Sequence, residues 1–284
     1  MSNAQGTLYI VATPIGNLGD WSQRAQEVLA EVSLIAVEDT RHSNKLLSHF
    51  GIQTPMMAYH EHNETLASEK LLTRLRAGES IALISDAGTP LISDPGYPLV
   101  SQAHAEGIPV SPIPGPSAVV AALSASGLPT DRFIFEGFLP NKTQARKSRL
   151  EILQADTRTL VFYESPHRIA ETLADMLAVF GAERVGVLAR ELSKTFETIK
   201  QAPLLELLEW LEQDKNQSRG EIVLVVHGAE ASGPEDAEVE RVLTILLKSL
   251  PVKEAATLAA EITGGKKNAL YKQALYILGK NPRQ

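Results

Sequence analysis

Asp39, Asp86, Glu164 and Glu191 each stand just behind a short apolar run, and Asp94 lies in a loop stiffened by proline and glycine. Acids in such places can take a proton or hold a cation, because ligands of parallel α/β sheets dock at the carboxyl ends of the strands. They can equally cap the turns that follow. The densest segment is Ser85-Asp86-Ala87-Gly88-Thr89-Pro90 running on to Asp94-Pro95-Gly96, directly after Ile81-Ala82-Leu83-Ile84. Glycine permits turns and close ligand approach, and proline lowers the entropy lost when a loop is ordered, so this reads as a preorganised binding surface. Ser117, after Pro114-Gly115-Pro116, either caps a helix or faces the same cleft. Glu164-Ser165-Pro166-His167-Arg168 is too polar for a plain connector, whereas Arg190-Glu191 reads equally well as a structural ion pair.

Other chemistries are excluded. The chain has no cysteine, hence no disulfide and no thiolate site. It has neither a P-loop nor a complete dinucleotide fingerprint, and no Gly-x-Ser-x-Gly nucleophile motif. His60 and His62 would point to opposite sides of an extended segment, so no metal site is expected there.

The elements that must position these residues follow from periodicity. Short apolar runs at 8–12, 34–37, 81–84 and 109–113 alternate with helical stretches reaching 30, 50, 77, 105 and 126. Strands and helices in this rhythm predict a parallel sheet with right-handed crossovers. A second, less regular half has strands at 132–138, 159–163, 184–189, 195–201 and 222–227 with helices between them, which predicts a mixed sheet. A linker-like stretch at 228–236 precedes three helical segments, 239–250, 252–262 and 269–278. The expected domains are 6–117, 118–228 and a helical tail at 237–284.

The 284 residues carry a net charge of −7, which argues against coating nucleic acid through a global field. Two acid-free runs break the pattern: Lys142, Arg146, Lys147 and Arg149 within 141–150, and Lys266, Lys267, Lys272, Lys280 and Arg283 within 264–284. No apolar run is long enough to span a bilayer. Ser2-Asn3-Ala4 reads as a cloning remnant, and the N-terminus lacks the regions of a signal peptide, so a cytoplasmic protein is expected.

Taken in order, Ala12-Thr13-Pro14-Ile15-Gly16-Asn17-Leu18, Glu38-Asp39-Thr40-Arg41, the 85–96 loop, Pro114-Gly115-Pro116-Ser117-Ala118 and Glu164-Ser165-Pro166-His167-Arg168 resemble the tetrapyrrole-methylase superfamily. Ala189-Arg190-Glu191-Leu192 and Gly220-Glu221-Ile222-Val223 extend the match, which is to the branch that methylates cytidine 2'-hydroxyls in 16S ribosomal RNA. The resemblance implies two α/β domains with S-adenosylmethionine in the cleft between them, and a helix-turn-helix-like tail. It implies a cofactor site at Pro14, Gly88, Thr89, Ile92, Ser117, Ala118 and Tyr163, closed near Leu188. Thr89 stands where porphyrinoid-modifying relatives have an acid. It also implies a homodimer.

Methyl transfer from a sulfonium needs positioning and the handling of one proton. Asp39, Asp86 and Glu191 are the first candidates for that proton, with Asp94 and Glu164 behind them. Arg41, His167, Arg168, Lys142, Arg146, Lys147, Lys266 and Lys267 are candidate contacts to RNA. A porphyrinoid methylase and a non-catalytic RNA-binding protein are the rival readings.

Overall fold

The computed structural model describes residues 5–230 and 234–278, without the side chains of 234–237. Ser2, Asn3, Ala4, Lys280 and Arg283 lie outside the described residues, as does the middle of the expected linker. The chain divides into two compact units, 1–228 and 229–284.

The first unit contains two sheets. Strands β1 (Leu8–Val11), β2 (Leu34–Val37), β3 (Met56–Ala58), β4 (Ile81–Ile84) and β5 (Val110–Ile113) form a sheet of order β3-β2-β4-β1-β5. All its pairings are parallel. Every side chain of β2 and β4 is buried, as expected for a sheet covered on both faces. One face packs Leu71, Leu72 and Leu75 of helix α3 (Glu64–Arg76), and the other packs Ala25 and Leu29 of α1 (Gln23–Glu31) and Leu47 of α2 (Thr40–His49). The half-buried edge strand β3 has no clear signal in the sequence: three residues are too few to show an alternation. Helix α4 (Tyr97–Ala105) leads on to β5.

Helix α5 (Ala118–Ser126) belongs to the second sheet. Its Val119, Ala122 and Leu123 pack on Val161, Val187 and Val225. That sheet comprises β6 (Phe133–Phe138), β7 (Thr159–Glu164), β8 (Val185–Arg190), β9 (Thr198–Pro203) and β10 (Ile222–Val226), in the order β6-β7-β10-β8-β9. Only β6 and β7 run parallel; the other pairs are antiparallel, so the sheet is mixed as its pattern predicts. Helices α6 (Thr143–Leu153), α7 (Ile169–Phe180) and α8 (Leu204–Gln213) cover the face opposite α5.

The second unit is three helices, α9 (Pro234–Leu246), α10 (Val252–Thr263) and α11 (Lys267–Ile277), around Leu243, Ala256, Ala259, Leu270 and Ala274. Helix α9 begins inside the expected linker, at a proline that suits the first helical position.

Candidate functional site

The loops leaving β1, β4 and β5 are laced together. Thr13 and Gly88 exchange both backbone hydrogen bonds, at 2.9 and 3.1 Å. The Thr13 hydroxyl donates to the Ser85 carbonyl at 3.2 Å, and the Thr89 hydroxyl donates to the Pro116 carbonyl at 3.0 Å. Gly88 sits at φ +85° with its Cα hydrogens toward Ile15, so a side chain there meets both strain and a neighbour 3.4 Å away. Leu91 and Ser93 also hold φ of 72° without being glycine. Such strain costs about 1–3 kcal/mol per residue and persists only where surrounding contacts impose it. Glu64 supplies one of them, its Oε1 accepting the Gly96 amide at 2.8 Å.

A cavity of about 460 Å³ opens where these loops meet the second sheet. Of the residues implied as cofactor contacts, Gly88, Thr89, Ile92, Ser117, Ala118 and Tyr163 line it. Ser117 makes no side-chain cap bond to α5, so the helix N-terminus faces the cavity uncapped. Pro14 lies instead in an adjoining cavity of about 410 Å³, which shares Ile15 and Asp86 with the first. Leu188 does not fit the assignment. It is fully buried in the layer under α7 and α8, because alternation along β8 turns it away from the cavity, while its neighbour Ala189 lies in the layer beside α5.

The acids separate just as clearly. Asp86, Asp94 and Glu38 line the cavity, and none forms an ion pair among the described residues. Burial pushes the Asp94 carboxyl up to about 6, helped by the charges of Glu38 and Asp86 and partly offset by the Ser85 hydroxyl. Burial, then Asp86, likewise raises Glu38. Across the cavity, burial and the Asp94 charge push Tyr163 up to about 12, so its phenol stays protonated.

Asp39 is not among the lining residues. It caps α2, accepting the Arg41 amide at 2.7 Å, and the Arg41 guanidinium holds its carboxyl below the usual range. Glu191 is also occupied elsewhere: burial raises it, but Lys194 at 2.9 Å and the Glu221 amide at 2.9 Å outweigh that and hold it low. Glu164 reaches the cavity wall with its oxygens already taken by the Ser165 amide, the Thr172 hydroxyl and Arg168.

Among the candidate RNA contacts, Arg146 does not survive as one. Its side chain is 1 % exposed and ion-paired to Asp175 at 2.7 Å. Lys147 approaches the same Asp175 at 3.5 Å, and Arg168 is drawn inward to Glu164, the Leu139 carbonyl and Asn141. Arg41 is exposed but paired with Asp39. Lys142, His167, Lys266 and Lys267 are exposed, and none has an ion pair among the described residues. His60 and His62 sit in a turn with their rings 5.8 Å apart, not on opposite sides of a strand.

Among the cavity residues not singled out from the sequence are Glu38 and Phe138. Glu38 follows β2 directly and had the same signal as Asp39, one residue on. Phe138 had a weaker signal, a glycine before it near the end of an apolar strand.

A parallel sheet and a mixed sheet meeting at an acidic, glycine-looped cavity define the tetrapyrrole-methylase class of methyltransferase. The family model described as Tetrapyrrole (Corrin/Porphyrin) Methylases matches residues 7–208, and the chain belongs to that family. A second model, the RsmI C-terminal HTH domain, matches residues 233–277. The chain is 61% identical over 279 residues to the Ribosomal RNA small subunit methyltransferase I of Pseudomonas aeruginosa, covering 97% of this chain and 99% of the relative. It is 59% identical over 279 residues to the protein of the same name from Vibrio cholerae, covering 98% and 97%. The fold is similar to uroporphyrin-III-C-methyltransferase from Thermus thermophilus, with TM-score 0.56 and 20% identity over 78% of this chain and 94% of that one.

Proposed function

We propose that this enzyme methylates the ribose 2'-hydroxyl of a cytidine in 16S ribosomal RNA, with S-adenosylmethionine as methyl donor. The observation that carries the reading is the cavity with three carboxylates that have no ion-pair partner among the described residues, Glu38, Asp86 and Asp94, in a chain so similar to two ribosomal RNA methyltransferases. S-adenosylmethionine is a sulfonium cation, which relieves the mutual repulsion of Glu38, Asp86 and Asp94. At about 460 Å³ the cavity falls within the ~300–1,000 Å³ of small-molecule sites. Gly88, Thr89, Ile92, Ser117, Ala118 and Tyr163 would hold the donor. When bound, it supplies a methyl carbon to which the ribose oxygen bonds as the carbon–sulfur bond breaks, the electron pair remaining on sulfur.

The chain's own residues then have two tasks, orientation and removal of the hydroxyl proton. Asp94 suits the second: it lines the cavity without an ion-pair partner among the described residues and, though burial pushes its carboxyl up to about 6, it is ionised at neutral pH and free to accept the proton. Asp86, which borders both cavities, is the other carboxylate in reach of this role. The small ribosomal subunit or its RNA as partner, a homodimer and a cytoplasmic setting complete the proposal.

The test is transfer of labelled methyl from S-adenosylmethionine to small subunits lacking the modification, with mass spectrometry locating the label. Label on a cytidine 2'-oxygen supports the reading; binding of the donor with no label in RNA overturns it. The donor's affinity adds a check. A bound cation favours the ionised Asp94, so affinity should rise with pH through about 6. Below that pKa calorimetry should see it fall by up to about tenfold per pH unit. S-adenosylhomocysteine, lacking the sulfonium charge, should show a flatter profile.

A further inference from the structure

Strand β6 carries a bulge. Phe133, Ile134 and Phe135 pair in regular register with Thr159, Leu160 and Val161, and the pairing then jumps to Gly137 opposite Phe162 and Phe138 opposite Tyr163. Side chains alternate along a strand, so three residues after Phe135 a regular β6 would turn Phe138 to the opposite face, toward the layer where Ile134 packs. The extra residue, Glu136, reverses that. Phe135 and Phe138 both lie against Tyr163, with ring centroids at 4.9 and 5.6 Å, and Phe138 forms part of the cavity wall. Bulges beside functional sites re-aim side chains in this way.

The bulge is built into both flanks. Gly137 adopts φ +64°, and a Cβ there would lie 3.2 Å from Ser93 Oγ in the strained loop. Glu136, displaced from the ladder, pairs with Arg149 at 2.7 Å. All this brings a large apolar ring to a place where it remains 58% exposed. Beyond the bulge it is Leu139 that enters the core layer, 3 % exposed, while the Phe138 ring is turned to the cavity side and left largely in solvent.

Phe138 is the outer ring of a pair whose inner member, Tyr163, is half-buried. A donor enclosed by the glycine loop is met first by the deeper walls, whereas an outer ring meets a planar group arriving from solvent. Bases unstacked from single-stranded RNA are recognised by stacking on aromatic side chains. We propose that Phe138 is the stacking platform for the base whose ribose is methylated, a positioning residue that rests on the function proposed above. Lys142, exposed four residues further on at the start of α6, is a cation available to the flanking phosphates.

The experiment compares wild type with Phe138→Ala, Phe138→Leu and Phe138→Tyr. Methyl transfer is measured with small subunits lacking the modification as varied substrate, at saturating S-adenosylmethionine, and donor affinity by calorimetry. Loss of a base–aromatic stack should lower kcat/KM for the subunit by roughly 5- to 150-fold in the Ala variant. Phe138→Leu should fall with it, since it keeps apolar contact without a ring, and Phe138→Tyr should retain most of the activity. Donor affinity should be the same in all four proteins. Full activity of Phe138→Leu overturns the inference, and so does donor affinity that weakens in step with the loss in Phe138→Ala, which would assign the ring to the cofactor. If wild type puts no label into RNA, the proposed function itself falls; if wild type and Phe138→Ala label RNA equally, only the role of Phe138 does.

Discussion

Residues 141–150 and 264–284 look alike as sequence, each basic and without an acid, yet among the described residues the fold pairs most cations of the first run and leaves those that open α11 unpaired. In the first run Arg146 is buried against Asp175, Lys147 shares that carboxylate, and Arg149 is taken by Glu136. The partners come from α7 and β6, which flank α6 in the chain, 29 and 13 residues from the arginines they hold. In the second run Lys266 and Lys267 open α11, exposed and without an ion pair among the described residues. Available charge is thus a property of the folded surroundings. A run of cations is evidence for a nucleic-acid contact only after its carboxylate partners have been counted.

Five variants test that contrast. The largest effect is expected from Arg146→Ala, which strands Asp175 in the interior; urea unfolding should show a loss of about 3–5 kcal/mol. The double variant Arg146→Met with Asp175→Leu should recover most of it, and equal stability of wild type and Arg146→Ala would remove the buried pair from the comparison. Next comes Lys266→Ala with Lys267→Ala. Stability and donor affinity should hold, while RNA affinity falls and the log–log salt slope flattens by roughly 1.5. An unchanged slope would mean that the second run is as unavailable as the first. Lys142→Ala, the one cation of the first run that is exposed and unpaired, should flatten the slope by about half as much. Arg149→Ala should do least to RNA binding, leaving affinity unchanged, while Glu136, whose side chain is 8 % exposed, loses its partner at a cost of about 1–3 kcal/mol in stability. A loss of RNA affinity in Arg149→Ala would show the Glu136 pair opening to admit phosphate.

Much of the architecture was legible in the chain. Fully apolar runs such as Ile81-Ala82-Leu83-Ile84 announce strands covered on both faces, and their alternation with helices announces the parallel sheet. The loops at 13–20, 85–96 and 114–117 were legible too, because glycine and proline at strand ends are local signals; the structure laces those three loops together. The acids were only half legible. Glu38 and Asp39 are neighbours behind β2, and local sequence does not say that the first faces the cavity while the second turns back to cap α2. Glu191 and Glu164 were equally plausible until Lys194, Thr172 and Arg168 were seen to occupy them.

Residue order alone determined the strands, the helices, the stiff glycine loop and the surplus of acid, because each follows from interactions within a few residues along the chain. Which carboxylates remain unpaired, which arginines are buried and which face Phe138 presents were decided only in three dimensions. Those outcomes depend on groups brought together from distant segments: Asp175 beneath Arg146, Ser93 against Gly137, and the loops of β1 and β5 closing on the loop of β4. A one-residue bulge was enough to exchange the two faces of β6 beyond it, since alternation has a period of two and one added residue inverts everything that follows.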